Sequence, residues 1–403
     1  MIDTAPGPLA FAPFRWLLAA RTTAIVGNAV APIALAFAVL DLTGSAADLG
    51  VVVAARSLAN VGMLLFGGVI ADRLPRNVVL VGASLAAAAT QGLVATLVLT
   101  GTAAVWSLAL LGVVNGAVAA VSLPAAAALV PDTVPDALLR PANAWLRLGL
   151  NAGGILGASA GAAAIALIGP GWGLAIDAAA FAVAAALFSR LRLPPAPPPS
   201  APGASVLADL RHGWREFSSR RWIWIVVLQF AVLNAAFTGA TTVLGPLVAD
   251  ETFGRGGWGL VIAAQTGGFA VGALLALRWR PRRALGIGVA AMASAALPVA
   301  TLALAPTLPA LIAAFALGGF AIELFAIAWD QSLQAHVPRE ALSRVYSYDM
   351  VGSFIAVPLG EVVVGPLAHA AGTVPVLLGC AAVIVLATAV AAASRSVWSI
   401  RAG

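Results

Sequence analysis

Ionisable side chains fall inside long apolar runs of the 403-residue sequence, among them Arg56, Arg147, Asp177, Glu323, Asp330, Asp349 and Glu361. A charge in hydrocarbon is costly, so such groups are paired, reach for the water interface, or belong to a functional pathway. Depth separates them. Asp177, Asp330, Asp349 and Arg147 lie within about two turns of a run's end, where a partner or a snorkelling side chain suffices. Arg56 lies deeper, and Asp177 approaches the same level from another run, so a structural Arg56–acid pair is open. Glu323 and Glu361 each stand roughly fifteen residues from one end of their run, about 22 Å along a helix. The chemistry available to a carboxyl group there is proton exchange, as a cavity opens first to one side and then to the other. The other reading is a carboxyl group hydrogen-bonded within a bundle for packing alone.

Other chemistries lack their parts. His212, His336 and His369 are far apart in the chain and lie at loops, and no metal-ligand cluster or paired catalytic set is spaced for work. The single Cys380 lies in an apolar run, so no disulfide or cysteine metal site is available. There is no Gly-x-x-x-x-Gly-Lys-Ser/Thr loop and no lysine at all, so neither nucleotide nor other cofactor is expected. The net charge of +6 does not point to nucleic acid, because the positive charges sit in short segments between apolar runs, where they report topology.

The elements that must hold these groups are membrane helices. The chain is 61% hydrophobic and 9% charged, a balance no soluble domain has. Twelve runs are expected as spans at about 14–40, 47–70, 78–100, 103–129, 142–168, 172–190, 222–248, 257–278, 284–305, 308–330, 345–368 and 374–393, each near the ~20 residues a bilayer requires. They must be helical, because a lipid-exposed backbone has to satisfy its own hydrogen bonds. Met1 to Pro13 lacks the basic region of a cleaved signal peptide, so the first run is expected to act as an uncleaved insertion signal.

Numbering each loop by the helix before it, the even loops carry Arg73, Arg76, Arg140, the group from Arg190 to Arg221, the group from Arg278 to Arg283, Arg339 and Arg344. The odd loops carry only Arg255, and the termini add Arg15, Arg395 and Arg401 on the even side. The positive-inside rule then places both termini and all even loops in the cytoplasm. All 22 basic residues are arginine, which with abundant Ala and Gly suggests a GC-rich, bacterial source.

A Pro-rich stretch, Leu193-Pro194-Pro195-Ala196-Pro197-Pro198-Pro199-Ser200, divides the chain, and Val206 to Arg221 reads as an amphipathic helix along the membrane surface, with Leu207, Leu210, Trp214 and Phe217 at helical spacing. The expected organisation is a six-helix bundle over 1–192, a linker over 193–221 and a second six-helix bundle over 222–403. The halves repeat: Val134-Pro135-Asp136-Ala137-Leu138-Leu139-Arg140 after the fourth run returns as Val337-Pro338-Arg339-Glu340-Ala341-Leu342-Ser343-Arg344 after the tenth.

The loop after the second run, Gly67-Gly68-Val69-Ile70-Ala71-Asp72-Arg73-Leu74-Pro75-Arg76-Asn77, resembles the Gly-x-x-x-Asp-Arg-x-Gly-Arg-Arg signature of the major facilitator superfamily. Gly68, Asp72, Arg73 and Arg76 match, while Pro75 replaces the family Gly and Asn77 the last basic residue. Tyr346-Ser347-Tyr348-Asp349, Pro358-Leu359-Gly360 and Gly365-Pro366-Leu367-Ala368 look like the branch that includes siderophore, secreted-metabolite and drug exporters.

The resemblance implies an all-α fold of two pseudo-symmetric six-helix bundles in the cell membrane, working as a monomeric secondary transporter of a small amphipathic solute, driven by protons or by the solute's own gradient. Export is the leading direction. Import, or a membrane receptor or enzyme on the same scaffold, are the alternatives. It implies a gate of Gly68, Asp72, Arg73 and Arg76 against Asp330, Arg344 and Asp349. It also implies a central cavity taking Arg147 and the amides Asn28, Asn115, Gln229 and Asn234, which otherwise serve as interhelical glue. Glu323, then Glu361, are its proton-coupling candidates. Two family elements are altered: Ala158 stands where a Gly-rich fifth helix (Gly149, Gly153, Gly157, Gly161) often has Pro, and Gly112 with Asn115-Gly116 replaces a fourth-helix Arg and Gln-Gly pair.

Overall fold

The computed structural model describes residues 7–73, 75–127, 129–191, 206–278 and 281–400; within these, the side chains at 65–73, 76, 123–125, 127, 140, 206–210, 212, 213, 277, 339, 340 and 343 lie outside the description. Among the described residues, 12 helices are long and apolar enough to cross a membrane. In order they are Ala12–Thr43, Ala46–Arg73, Arg76–Leu99, Val105–Ala127, Leu139–Ile168 and Pro170–Ser189. Arg221–Glu251, Arg255–Arg278, Ala284–Leu304, Leu308–His336, Arg344–Ala371 and Thr373–Ala392 complete the set. Several run past the apolar stretch that reveals them. The tenth continues to His336 through Gln331, Ser332 and Gln334, because a helix does not stop where hydrocarbon does.

The odd-loop face is tightly turned. Gly44, Gly101, Gly169, Gly254 and Gly372 all have positive φ, a conformation that favours glycine, and each sits at an odd loop. Three helices are interrupted just before a proline, which cannot donate to the carbonyl one turn back. The seventh has a π-helical turn over Gly239–Leu244 before Pro246, the ninth a 3-10 turn over Met292–Ala295 before Pro298, and the eleventh a break at 355–356 before Pro358. Thr241 and Thr242 mend the first, their hydroxyls donating to Phe237 O at 2.8 Å and Thr238 O at 2.7 Å.

In the first half, the second helix packs on the fourth, the third on the fourth and sixth, and the first on the fifth and sixth. In the second half the eighth packs on the tenth, and the twelfth on the seventh and ninth. The halves meet through the fifth and eighth helices and through the second and eleventh. The Gly149 to Gly161 stripe faces the first helix, meeting Thr22, Ile25, Val26 and Val30. It is therefore a packing surface within one half rather than the contact between halves.

One apolar core runs through both halves toward the odd-loop face, taking in Phe37, Leu40, Ile165, Trp258 and Phe315. A second, separate core of Phe14, Leu17, Leu129 and Phe188 belongs to the even-loop end of the first half alone. Among the described residues, the apolar core that the halves share lies toward the odd-loop face. An ion pair joins the halves at that face. Arg255 donates to both oxygens of Asp41 in the first helix, at 2.9 and 2.5 Å, and to Asp250 at 2.7 and 3.1 Å. Its guanidinium also lies 4.9 Å from the Phe37 ring centroid.

The C-terminal part of the amphipathic helix Val206–Ser219 packs on protein. Phe217 is buried, and Trp214 meets Phe217 at 5.6 Å and Tyr348 of the eleventh helix at 5.4 Å between ring centroids.

Candidate functional site

The site is built from the second and fourth helices upward. Gly116 has no Cβ, and one placed there would overlap the backbone carbonyl of Arg56, so the two helices touch at this level. The contact puts Arg56 Nε 3.0 Å from Asn115 Oδ1, which accepts its hydrogen bond, and lets Asn60 Nδ2 donate to Gly116 O at 3.2 Å. The guanidinium beside the fourth-helix Asn-Gly pair therefore comes from the second helix. Beside this pair lies a cavity of about 370 Å³, lined by Arg21 and Asn28 of the first helix, Arg56, Ser57 and Asn60 of the second, and Asn115 of the fourth. Phe181 and Phe188 of the sixth helix and Phe354 of the eleventh form its aromatic wall.

Two buried carboxyl groups are nearby, Asp177 and Glu361. Asp177 accepts from Gln91 Nε2 at 2.5 Å through Oδ2, and Glu361 accepts from Ser57 Oγ at 3.1 Å through Oε1. Asp177 Oδ1 and Glu361 Oε2 have no hydrogen-bond partner among the described residues. Both acids act electrostatically on Arg56, one from each half, yet neither forms an ion pair with it among the described residues.

A second cavity of about 350 Å³ lies between the halves, lined by Arg21, Arg147, Asn151, Phe269 and Glu323 among others. Arg147 Nη1 stands 3.4 Å from Glu323 Oε1, a long ion pair across the halves, with the Arg147 side chain 69% exposed and that of Glu323 18%.

Asn28, Asn115 and Arg147, expected at a cavity, line one, as does Glu323. Gln229 and Asn234 are knit into the second half instead. Gln229 Nε2 donates to Thr388 Oγ1 at 3.2 Å, and Asn234 Nδ2 donates at 2.9 Å to Ser353 O, a carbonyl next to the eleventh-helix break. Asp330 accepts from the Tyr346 hydroxyl at 3.0 Å. Asp349 is buried and accepts from Trp329 Nε1 at 2.8 Å and Ser353 Oγ at 3.0 Å. Arg344 stands in the first turns of the eleventh helix. The side chains of Gly68, Asp72, Arg73 and Arg76 lie outside the described residues; the second helix runs through Arg73 and the third begins at Arg76.

Arg21, common to both cavities, is the site residue that the sequence does not single out. In sequence it looks like flank, close behind Arg15. The available signal was its spacing: Arg21, Ile25 and Asn28 share one face of a helix, and all three line the cavity.

Twelve membrane helices in two six-helix halves, with polar cavities inside and between them, define a solute transporter of the multi-pass membrane class. Known proteins agree with that class. The model of the Major Facilitator Superfamily matches residues 17–300, and the chain belongs to that family. It is 28% identical over 388 residues to the multidrug efflux pump Tap of Mycolicibacterium fortuitum, covering 92% of each chain. It is also 28% identical over 263 residues to the enterobactin exporter EntS of Shigella boydii serotype 18, covering 65% of this chain and 62% of that one. Among solved structures, the nucleoside transporter NupG superposes with a TM-score of 0.73 at 17% identity, over 94% of this chain and 98% of that one. A bacterial homologue of the human lysosomal transporter Spinster, inward-facing and unoccupied, gives 0.72 at 17%, over 96% and 98%. At these identities the structural matches speak to the fold.

Proposed function

We propose that this protein exports small amphipathic molecules by alternating access, taking its energy from protons. The observation that carries the reading is the asymmetry of closure. The halves are joined at the odd-loop face by the Arg255–Asp41 pair and a shared core, while the polar cavities lie toward the even-loop face. With the even loops in the cytoplasm, as their arginines indicate, the cavities are loaded from inside the cell. The relatives named as exporters support that direction. The rocking bodies are the segments 1–192 and 222–403, joined by 193–221 and acting as a monomer.

Each proton candidate reaches across the halves, Glu323 to Arg147 and Glu361 to Ser57, so rocking breaks its bond and changes its surroundings. Glu323, which lines a cavity and is partly exposed, is the first choice, and Glu361 the second. Gly68, Asp72, Arg73 and Arg76, with Asp330, Arg344 and Asp349, form the even-loop gate. The test is Glu323→Gln in inverted vesicles given a pH step. The variant should lose gradient-driven uptake and keep downhill exchange. A variant that responds fully to the gradient rules Glu323 out and moves the assignment to Glu361.

A further inference from the structure

The two cavities are lined by three guanidinium groups, Arg21, Arg56 and Arg147, and by one carboxyl group, Glu323. Arg147 and Glu323 face each other, and Arg56 is bonded to Asn115 with Asp177 and Glu361 behind it. Arg21 is different. Among the described residues it has no hydrogen bond or ion pair. It stands nine residues past Ala12, the first residue of its helix, about 13 Å along the axis. A guanidinium inside a membrane protein with no counter-charge is expensive unless an anion comes to it. Here it lines both cavities, with Asn28 two turns along the same helix and Phe181, Phe188 and Phe354 lining the first cavity.

We infer that the first cavity binds small organic anions, the carboxylate or phenolate on Arg21 and an aromatic or apolar body against the three phenylalanines. The volume is that of a pocket for a small molecule. A planar guanidinium fork matches a carboxylate geometrically, and bonds of this type are stronger than neutral ones. This names the substrate class of the transport site. It rests on the exporter reading for the transport step after binding, though binding itself is measured without it.

The test uses the full chain in lipid nanodiscs and three fluorescent probes with one ring system: 2-naphthoate, 2-naphthamide and 2-naphthylmethylamine. Naphthoate should bind at least tenfold tighter than the amide, with the amine weakest. Arg21→Gln should bring naphthoate down to the amide's affinity and leave the amide unchanged, and Arg21→Lys should keep the preference. No naphthoate binding, equal or tighter binding of the amide or amine, or wild-type naphthoate affinity in Arg21→Gln would overturn the inference. The order of the three probes on the wild type decides it even where Arg21→Gln does not fold. Naphthoate bound with this selectivity but never accumulated by inverted vesicles would remove the exporter reading and leave the anion site standing. Accumulation of the amine over naphthoate would do the reverse.

Discussion

Arg255→Gln removes the one arginine of the odd loops and with it the charge that ties the halves together at that face. The residue makes two hydrogen bonds to Asp41 across the halves and lies against the Phe37 ring. Bonds to a charged group contribute roughly 1.5–3 kcal/mol when sheltered, whereas exposed ion pairs contribute about 0.2–1 kcal/mol. The two side chains are 24% and 44% exposed, which places the pair between these limits. With the ring contact added, the closed face is held by on the order of 1.5 kcal/mol through Arg255. Its loss shifts the ratio of open to closed odd-loop faces about tenfold. The assay is pulsed electron resonance between spin labels on Thr102→Cys and Thr307→Cys, one on each half's odd-loop face, in a Cys380→Ser background. A longer-distance population should grow in Arg255→Gln. Asp41→Asn should do the same, and the double variant should add little to either. An unchanged distance distribution, or fully additive effects, would refute the clamp.

Gly116→Ala puts a Cβ on the Arg56 carbonyl and should cost about 1–3 kcal/mol of stability by overpacking, lowering the thermal midpoint in detergent; Gly112→Ala, whose new Cβ would have its nearest contact at 3.5 Å, should be tolerated. Equal melting of the two variants would remove the close-approach argument. Asp72→Asn should reduce transport at equal membrane expression, and unchanged uptake would dismiss the even-loop gate. Reporter fusions after Gly403 and within the segment at Ser200 should both read cytoplasm, and one near Arg255 should read exterior; a split between the first two would break the assigned topology.

The twelve spans were legible because hydropathy reports burial in lipid directly. The site was legible by residue type and less so by direction. Asn28 and Gln229 carry the same signal in sequence, an amide in an apolar helix, yet one faces a cavity and the other Thr388. Which way a helix is rotated depends on what packs against it, as Gly116 does for Arg56, and that information is distributed over distant segments. Arg255 stood out in the count of charges, but its partner Asp41 lies 214 residues away, and no local pattern connects them. Arg21 was hidden by its nearness to Arg15, where a second arginine reads as an interface anchor. The proline breaks were visible as prolines; what mends them, Thr241, Thr242 and Asn234, was not.

The central claim is that solute moves against its gradient from the even-loop side when protons flow the other way. Its most direct measurement is uptake of a fluorescent amphipath, 2-naphthoate first, into inverted vesicles containing the protein, with a pH gradient imposed and then collapsed. The account predicts accumulation that needs both the protein and the gradient and that drains away when the gradient is dissipated. Equal uptake by vesicles lacking the protein, or uptake indifferent to the gradient, would contradict it.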